Sequence, residues 1–183
     1  AKSGHLTNHA VLSKIVQATG LKVQTGGGIR TMATLAYLIE KVKVERCVLG
    51  TAAVRDPAFV QKAVNAYGPA IAVGLDAKEG MMAIDGWTNS STIDVFDFAI
   101  SMRDVGVGTL IYTDIRRDGM LAGPSITATR RLVKLTQIDV IASGGIGSLE
   151  DVIAVKATGC AGVIIGKALY EGKVRLDTCL QNV

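Results

Sequence analysis

The chain has 183 residues, 49% of them hydrophobic and 4% aromatic, with 21 glycines, 3 prolines and a formal net charge of +4. That supports one globular domain whose core is built from Val, Ile, Leu and Ala, a mix suited to buried parallel strands covered by helices. The basic residues are scattered among acids, without a basic run or a set of stacking aromatics, which argues against nucleic-acid binding, and no apolar stretch reaches membrane-spanning length.

Short apolar runs alternate with amphipathic stretches from one end to the other. A helix is predicted over 7–19, then a strand over Leu21–Thr25 and a helix over 31–42. A strand at Arg46–Leu49 precedes a helix over 56–66, where Asp56-Pro57 places proline at the first helical position. The strand Ala70–Leu75 is followed by a polar excursion containing Asp85-Gly86-Trp87 and a helix over 92–105. The strands Thr109–Thr113, Asp139–Ala142 and Gly162–Ile165 complete the set, with helices over 125–136 and 148–158; Ser148 marks the start of the last. Strands separated by helices of this length read as βαβ units on a parallel sheet.

Six such units fall short of the eight in a closed TIM-type (β/α)8 barrel, which takes about 250 residues. The opening Ala1-Lys2-Ser3-Gly4 reads as a strand-to-helix loop. The expectation is a single β/α-barrel domain over 1–183 that carries strands 3–8 and is incomplete at its N-terminus. An open sheet leaves two unpaired edges, so self-association through those edges is an expected consequence.

The three cysteines, Cys47, Cys160 and Cys179, have neither metal spacing nor a disulfide framework, which points to a reducing cytoplasm. Cys47 lies in an apolar run and reads as a small buried side chain. His5 and His9 stand four apart without a third ligand, so no metal is expected. No Ser-His-Asp or Cys-His set is apparent, which argues against covalent acyl chemistry.

An internal repeat carries more information. Gly27-Gly28-Ile29 returns as Gly144-Gly145-Ile146 at an offset of 117, and Gly50-Thr51-Ala52 returns as Gly166-Lys167-Ala168 at an offset of 116. Each block is a strand ending in a Gly-rich turn, then a helix, then a second strand ending in glycine. Glycine lets the backbone approach an anion closely, and the following helix start offers free N–H groups. Barrels of this kind commonly hold phosphate in the last two such loops. The duplication therefore suggests two phosphate sites facing each other, at Gly27, Gly28, Gly50 and Thr51 and at Gly144, Gly145, Gly166 and Lys167.

Between these blocks Asp76 ends an apolar run, on the rim that carries catalysis in β/α barrels, where a carboxylate beside apolar strands suits general acid or base work. Thr113-Asp114-Ile115-Arg116-Arg117-Asp118-Gly119 brings a hydroxyl, two carboxylates and two guanidiniums to the same rim, and one acid has the option of holding its loop closed through Arg. Trp87, the single tryptophan, either stacks on a planar ligand or covers the barrel mouth.

The segments QTGGGIR (24–30), VLGTAAV (48–54), GLDAKEGMMAIDGW (74–87), YTDIRRDGMLAGP (112–124), ASGGIGSLEDV (142–152) and GVIIGKALYEGK (162–173) together resemble the phosphoribosylformimino-aminoimidazole carboxamide ribotide isomerases of histidine biosynthesis. The resemblance implies an Amadori rearrangement of an aminoaldose to an aminoketose on a bisphosphorylated substrate, by acid/base catalysis without cofactor. It implies Asp76 as proton donor with Asp118 as the alternative acid, Thr113 and Arg30 as positioning groups, Asp114 as a further substrate contact, Trp87 as a stacking group, and both glycine blocks around the phosphates. The family's proton-abstracting aspartate ends a first strand that has no match in this sequence, so these residues alone are expected to bind phosphate poorly and to lack full turnover. The cyclase subunit of imidazole glycerol phosphate synthase shares barrel and repeat and remains an alternative, as do a bifunctional isomerase that also serves tryptophan synthesis and a non-catalytic phosphate-binding barrel fragment.

Overall fold

The computed structural model describes residues 9–182. Helix α1 (His9–Thr19) leads to strand β1 (Gln24–Gly26), and α2 (Met32–Ala36) widens into a π-type turn over Tyr37–Val42 before β2 (Arg46–Leu49). Helices α3 (Thr51–Arg55) and α4 (Pro57–Tyr67) precede β3 (Ile71–Lys78), from which a hairpin of β4 (Met81–Ile84) and β5 (Asn89–Asp94) projects. Then come α5 (Val95–Asp104), β6 (Thr109–Asp114), α6 (Ile126–Thr136), β7 (Asp139–Ser143), α7 (Leu149–Lys156), β8 (Gly162–Val163), α8 (Lys167–Tyr170) and α9 (Leu176–Asn182).

The six βα strands stand in the order β1-β2-β3-β6-β7-β8, all adjacent pairs parallel, and form a half-barrel. All six strands therefore end on one rim, and β3 and β6 occupy its centre. Residues Ile71–Leu75 and Thr109–Thr113 are buried on both faces, as strands covered by helices must be. The main core contains Leu35, Leu38, Leu49, Ile71, Leu75, Leu110 and Leu132, and burying each such side chain stabilises the fold by about 1.5–3 kcal/mol. A smaller cluster under β7 and β8 holds Ala142, Ile146, Val152, Val155 and Ala168. Cys47 is fully buried, and burial pushes its thiol up to about 11, so it is a packing residue.

The helix starts follow their sequence signals. Asp56 caps α4 by accepting from the Phe59 N–H at 3.0 Å, and Ser148 and Asp151 form a reciprocal capping box on α7. Three expectations need correction. The polar excursion is an antiparallel hairpin: Glu79 and Gly80 take positive φ (54° and 84°) in a two-residue turn that reverses β3 into β4. The helix expected from 92 starts at Val95, because Thr92–Asp94 extend β5 and the Asp94 carboxylate accepts from the Phe96 and Asp97 N–H groups. Strand β1 begins later than Leu21 and β8 ends before Ile165, since each has a ladder partner on one side only among the described residues. Ala1–Gly4 and His5 lie outside the described residues, so neither the opening loop nor the His5–His9 pair is described. Among the described residues no helix is long and apolar enough to cross a membrane.

Candidate active site

Asp76 sits on β3 directly opposite Thr113 on β6, at the midpoint of the rim. Its carboxylate Oδ2 accepts a hydrogen bond from the Trp87 indole Nε1 at 2.8 Å. Burial raises the carboxyl above its ordinary range, the indole N–H and the Thr113 hydroxyl pull it back, and the charge of Asp118 pushes it up again. A carboxyl in this balance holds its proton closer to neutral pH than a solvated one, as acid/base work requires.

Trp87 reaches Asp76 because the β4–β5 connection is contorted. Asp85, Gly86 and Trp87 are consecutive left-handed residues, at φ 55°, 66° and 73°. Trp87 remains 45% exposed.

The loop after β6 is closed through arginine. Asp114 Oδ1 accepts from the Arg116 N–H, its Oδ2 lies 3.3 Å from Arg117 Nε, and Arg117 Nη1 donates to the Gly123 carbonyl at 2.9 Å. Asp114 is thus the acid that shapes the loop, while Asp118 stays exposed on it. The loop rests on the glycines after β7. A Cβ on Gly144 would fall 2.8 Å from the Asp114 carbonyl oxygen, one on Gly145 2.2 Å from that of Gly123, and one on Gly147 2.8 Å from that of Leu121.

The repeat is preserved in backbone geometry. Gly27 and Gly28 have φ 91° and 74°, and Gly144 and Gly145 both have φ 90°. Gly50 stands at φ −102°, ψ −107°, and Gly166 at φ −102°, ψ −102°. Gly144, Gly145, Gly166 and Lys167 line one cavity of about 50 Å³ together with Asp118. The other end differs. Arg30 and Thr51 line a cavity of about 210 Å³ with Arg55, Asp56 and Phe59, but Gly27, Gly28 and Gly50 form no part of its wall.

Arg55 escaped sequence reasoning, as did its link to Asp85. Arg55 lies at the end of α3, and its Nη2 contacts both oxygens of Asp85 at 2.7 and 2.8 Å. The Asp85 backbone N–H also donates to Thr51 Oγ1 at 2.9 Å. The Asp-Gly pair at 85–86 signals a turn, but nothing in the local sequence joins it to a helix 30 residues earlier.

The family model for histidine biosynthesis protein matches residues 1–175. A 1-(5-phosphoribosyl)-5-((5-phosphoribosylamino)methylideneamino) imidazole-4-carboxamide isomerase of Acetivibrio thermocellus is 42% identical over 181 residues, covering 99% of this chain and 76% of that protein. Isomerases of the same name from Desulfitobacterium hafniense and Cereibacter sphaeroides are each 45% identical, covering 100% of this chain and 75% and 77% of their own lengths. With this family match, and with relatives of that identity aligned across the whole chain, the chain belongs to the histidine biosynthesis protein family.

Proposed function

We propose that the protein is a sugar-phosphate isomerase of histidine biosynthesis, converting a bisphosphorylated aminoaldose (phosphoribosylformimino-aminoimidazole carboxamide ribotide) into its aminoketose by acid/base catalysis without cofactor. The isomerase names of its relatives support the reaction class. The observation that carries the assignment of roles is the Asp76 carboxyl, raised by burial and held by Trp87 at the centre of the rim, between two glycine blocks of matching backbone geometry.

In this reading Asp76 protonates the ribose ring oxygen and opens the ring. A base then removes the C2′ proton, and the enol relaxes to the ketose, so that no net proton is gained or lost. Asp118 is the alternative acid and Thr113 orients the substrate. Trp87 stacks on the substrate while its N–H stays on Asp76. Arg30 positions the substrate with Thr113; Thr51 with Gly27, Gly28 and Gly50 receives one phosphate, and Gly144, Gly145, Gly166 and Lys167 the other, through backbone N–H groups and a point charge. Asp114 serves the substrate by shaping the loop that presents Asp118.

The test is conversion of the aminoaldose with no ammonia and no glutaminase added. Accumulation of the aminoketose as sole product supports the isomerase. An imidazole product that forms only when ammonia is supplied assigns the chain to the cyclase relatives instead.

A further inference from the structure

Three consecutive left-handed residues, one of them the bulky Trp87, are a strained path for a hairpin turn. Something outside the hairpin must hold it, and the hold converges on Asp85. Its carboxylate accepts from Arg55 Nη2 on both oxygens and from Asn89 Nδ2 at 3.1 Å. Its N–H donates to Thr51 Oγ1, and its carbonyl accepts from the Thr88 hydroxyl at 2.8 Å. Two residues further on, Trp87 grips Asp76.

The two residues that pin Asp85 from outside also line the cavity that contains Arg30. Their donors are divided in a definite way. Arg55 uses only Nη2 on Asp85, so its Nε and Nη1 take no part in the pin, which nonetheless fixes their direction through the planar guanidinium. Thr51 accepts from the Asp85 N–H, which leaves its own hydroxyl proton to donate elsewhere. Asp56 is on the same wall, with its Oδ1 accepting from the Phe59 N–H, so an anion entering the cavity would meet one carboxylate beside Arg30, Arg55 and Thr51; the Arg55 and Thr51 donors are already fixed by Asp85, so anion binding and hairpin docking reinforce each other.

We infer that Asp85 and Arg55 are positioning residues that couple an anion in the Thr51 cavity to the placement of Trp87 on Asp76. The inference rests on the phosphate role proposed above for Thr51, and on Asp76 as the acid only for its consequence in catalysis. A surface ion pair of this kind contributes little to stability by itself, so its loss leaves the fold standing while the coupling disappears.

Trp87 is the chain's single tryptophan, so its fluorescence reports the hairpin without a label. Inorganic phosphate is titrated into the unaltered chain and into Asp85→Asn, with emission and acrylamide quenching of Trp87 as readouts. In the unaltered chain phosphate, carried to the high concentrations that the weak binding expected of these residues requires, is expected to shift the emission saturably and to shield the ring. Asp85→Asn is expected to leave the ring more open to quencher and to weaken the phosphate midpoint by about tenfold, the scale of one lost charge-assisted contact. Emission indifferent to phosphate in the unaltered chain, or an Asp85→Asn response equal to it, overturns the inference. Should Asp85→Asn fail to fold by circular dichroism, Arg55→Lys, which keeps the charge but loses the planar guanidinium, is read by acrylamide quenching of Trp87 without phosphate: a more open ring supports the inference, and quenching equal to that of the unaltered chain overturns it. Because fluorescence is read without turnover, failure here leaves the isomerase assignment standing, and failure of the ammonia-free conversion leaves the coupling standing.

Discussion

The Trp87 indole Nε1 lies 2.8 Å from Asp76 Oδ2, so a residue on a projecting hairpin lowers the proton affinity of a carboxyl on the central strand. Burial raises that carboxyl most, and the indole is the first of the contacts that lower it again. Trp87→Phe removes the lowering contact and keeps a ring for stacking. The Asp76 pKa is then expected to rise further. If Asp76 works as an acid, the limb of the rate profile that falls with rising pH moves to higher pH. A pH profile of kcat/KM for both proteins checks this, and an unmoved or downward-moved limb speaks against the contact's role.

Asp76 should also leave a mark on stability. Its pKa is raised in the folded state, so between the ordinary carboxylate value and the raised value the native protein binds more protons than the unfolded chain. Stability from this group therefore falls as pH rises through that window and stays reduced above it. Asp76→Asn, uncharged at every pH, is expected to match the unaltered protein in acid and to melt higher near neutral pH. Thermal melts across a pH series test the sign; a variant that melts below the unaltered protein at neutral pH, after matching it in acid, would contradict it.

The glycines after β7 are seats for the Asp118 loop as well as anion contacts. Gly145 has φ 90°, lies against the Gly123 carbonyl and accepts from the Gly123 N–H at 2.9 Å. Gly145→Ala puts a Cβ 2.2 Å from that carbonyl oxygen and a side chain into the left-handed region. A loss of about 2–4 kcal/mol in unfolding free energy is expected, together with loss of phosphate binding at the Lys167 cavity. Gly172→Ala is the control for φ alone, because it also has positive φ (68°) but its added Cβ meets nothing within 4 Å. It should lose only about 1 kcal/mol. Denaturant unfolding separates the two.

The outer strands β1 and β8 each carry a ladder on one side only among the described residues. Parallel edges without a second ladder partner favour pairing between copies, so we propose self-association through them, and light scattering is expected to show a species larger than the monomer. A stable monomer at micromolar concentration would show that the edges are covered in another way.

Much of the molecule was legible in the sequence, for reasons that particular elements show. Ile71–Leu75 and Thr109–Thr113 are continuous apolar runs because both their faces are buried, and such runs announce themselves. Asp56-Pro57 and Ser148 marked their helix starts because capping is local chemistry. The repeat was legible because positive φ at Gly28 and Gly145 demands glycine. The hairpin was missed although Glu79-Gly80 and Asp85-Gly86 are turn signals, since its strands are short and irregular in pairing. The link from Arg55 to Asp85 could not be read at all. It joins a short helix to a turn through a long-range contact, and no spacing rule connects residues brought together only by the sheet order.

Asp76 is the residue on which the proposed chemistry turns, and turnover of Asp76→Asn in the protein as its gene encodes it addresses it most directly. Aminoaldose consumption and aminoketose formation are followed by NMR in the absence of ammonia, beside the unaltered protein. The aminoketose is expected to form with the unaltered protein and about 10²–10⁴-fold more slowly with Asp76→Asn, while phosphate binding persists. Equal turnover in the two proteins would remove Asp76 from the reaction and the proposed mechanism with it.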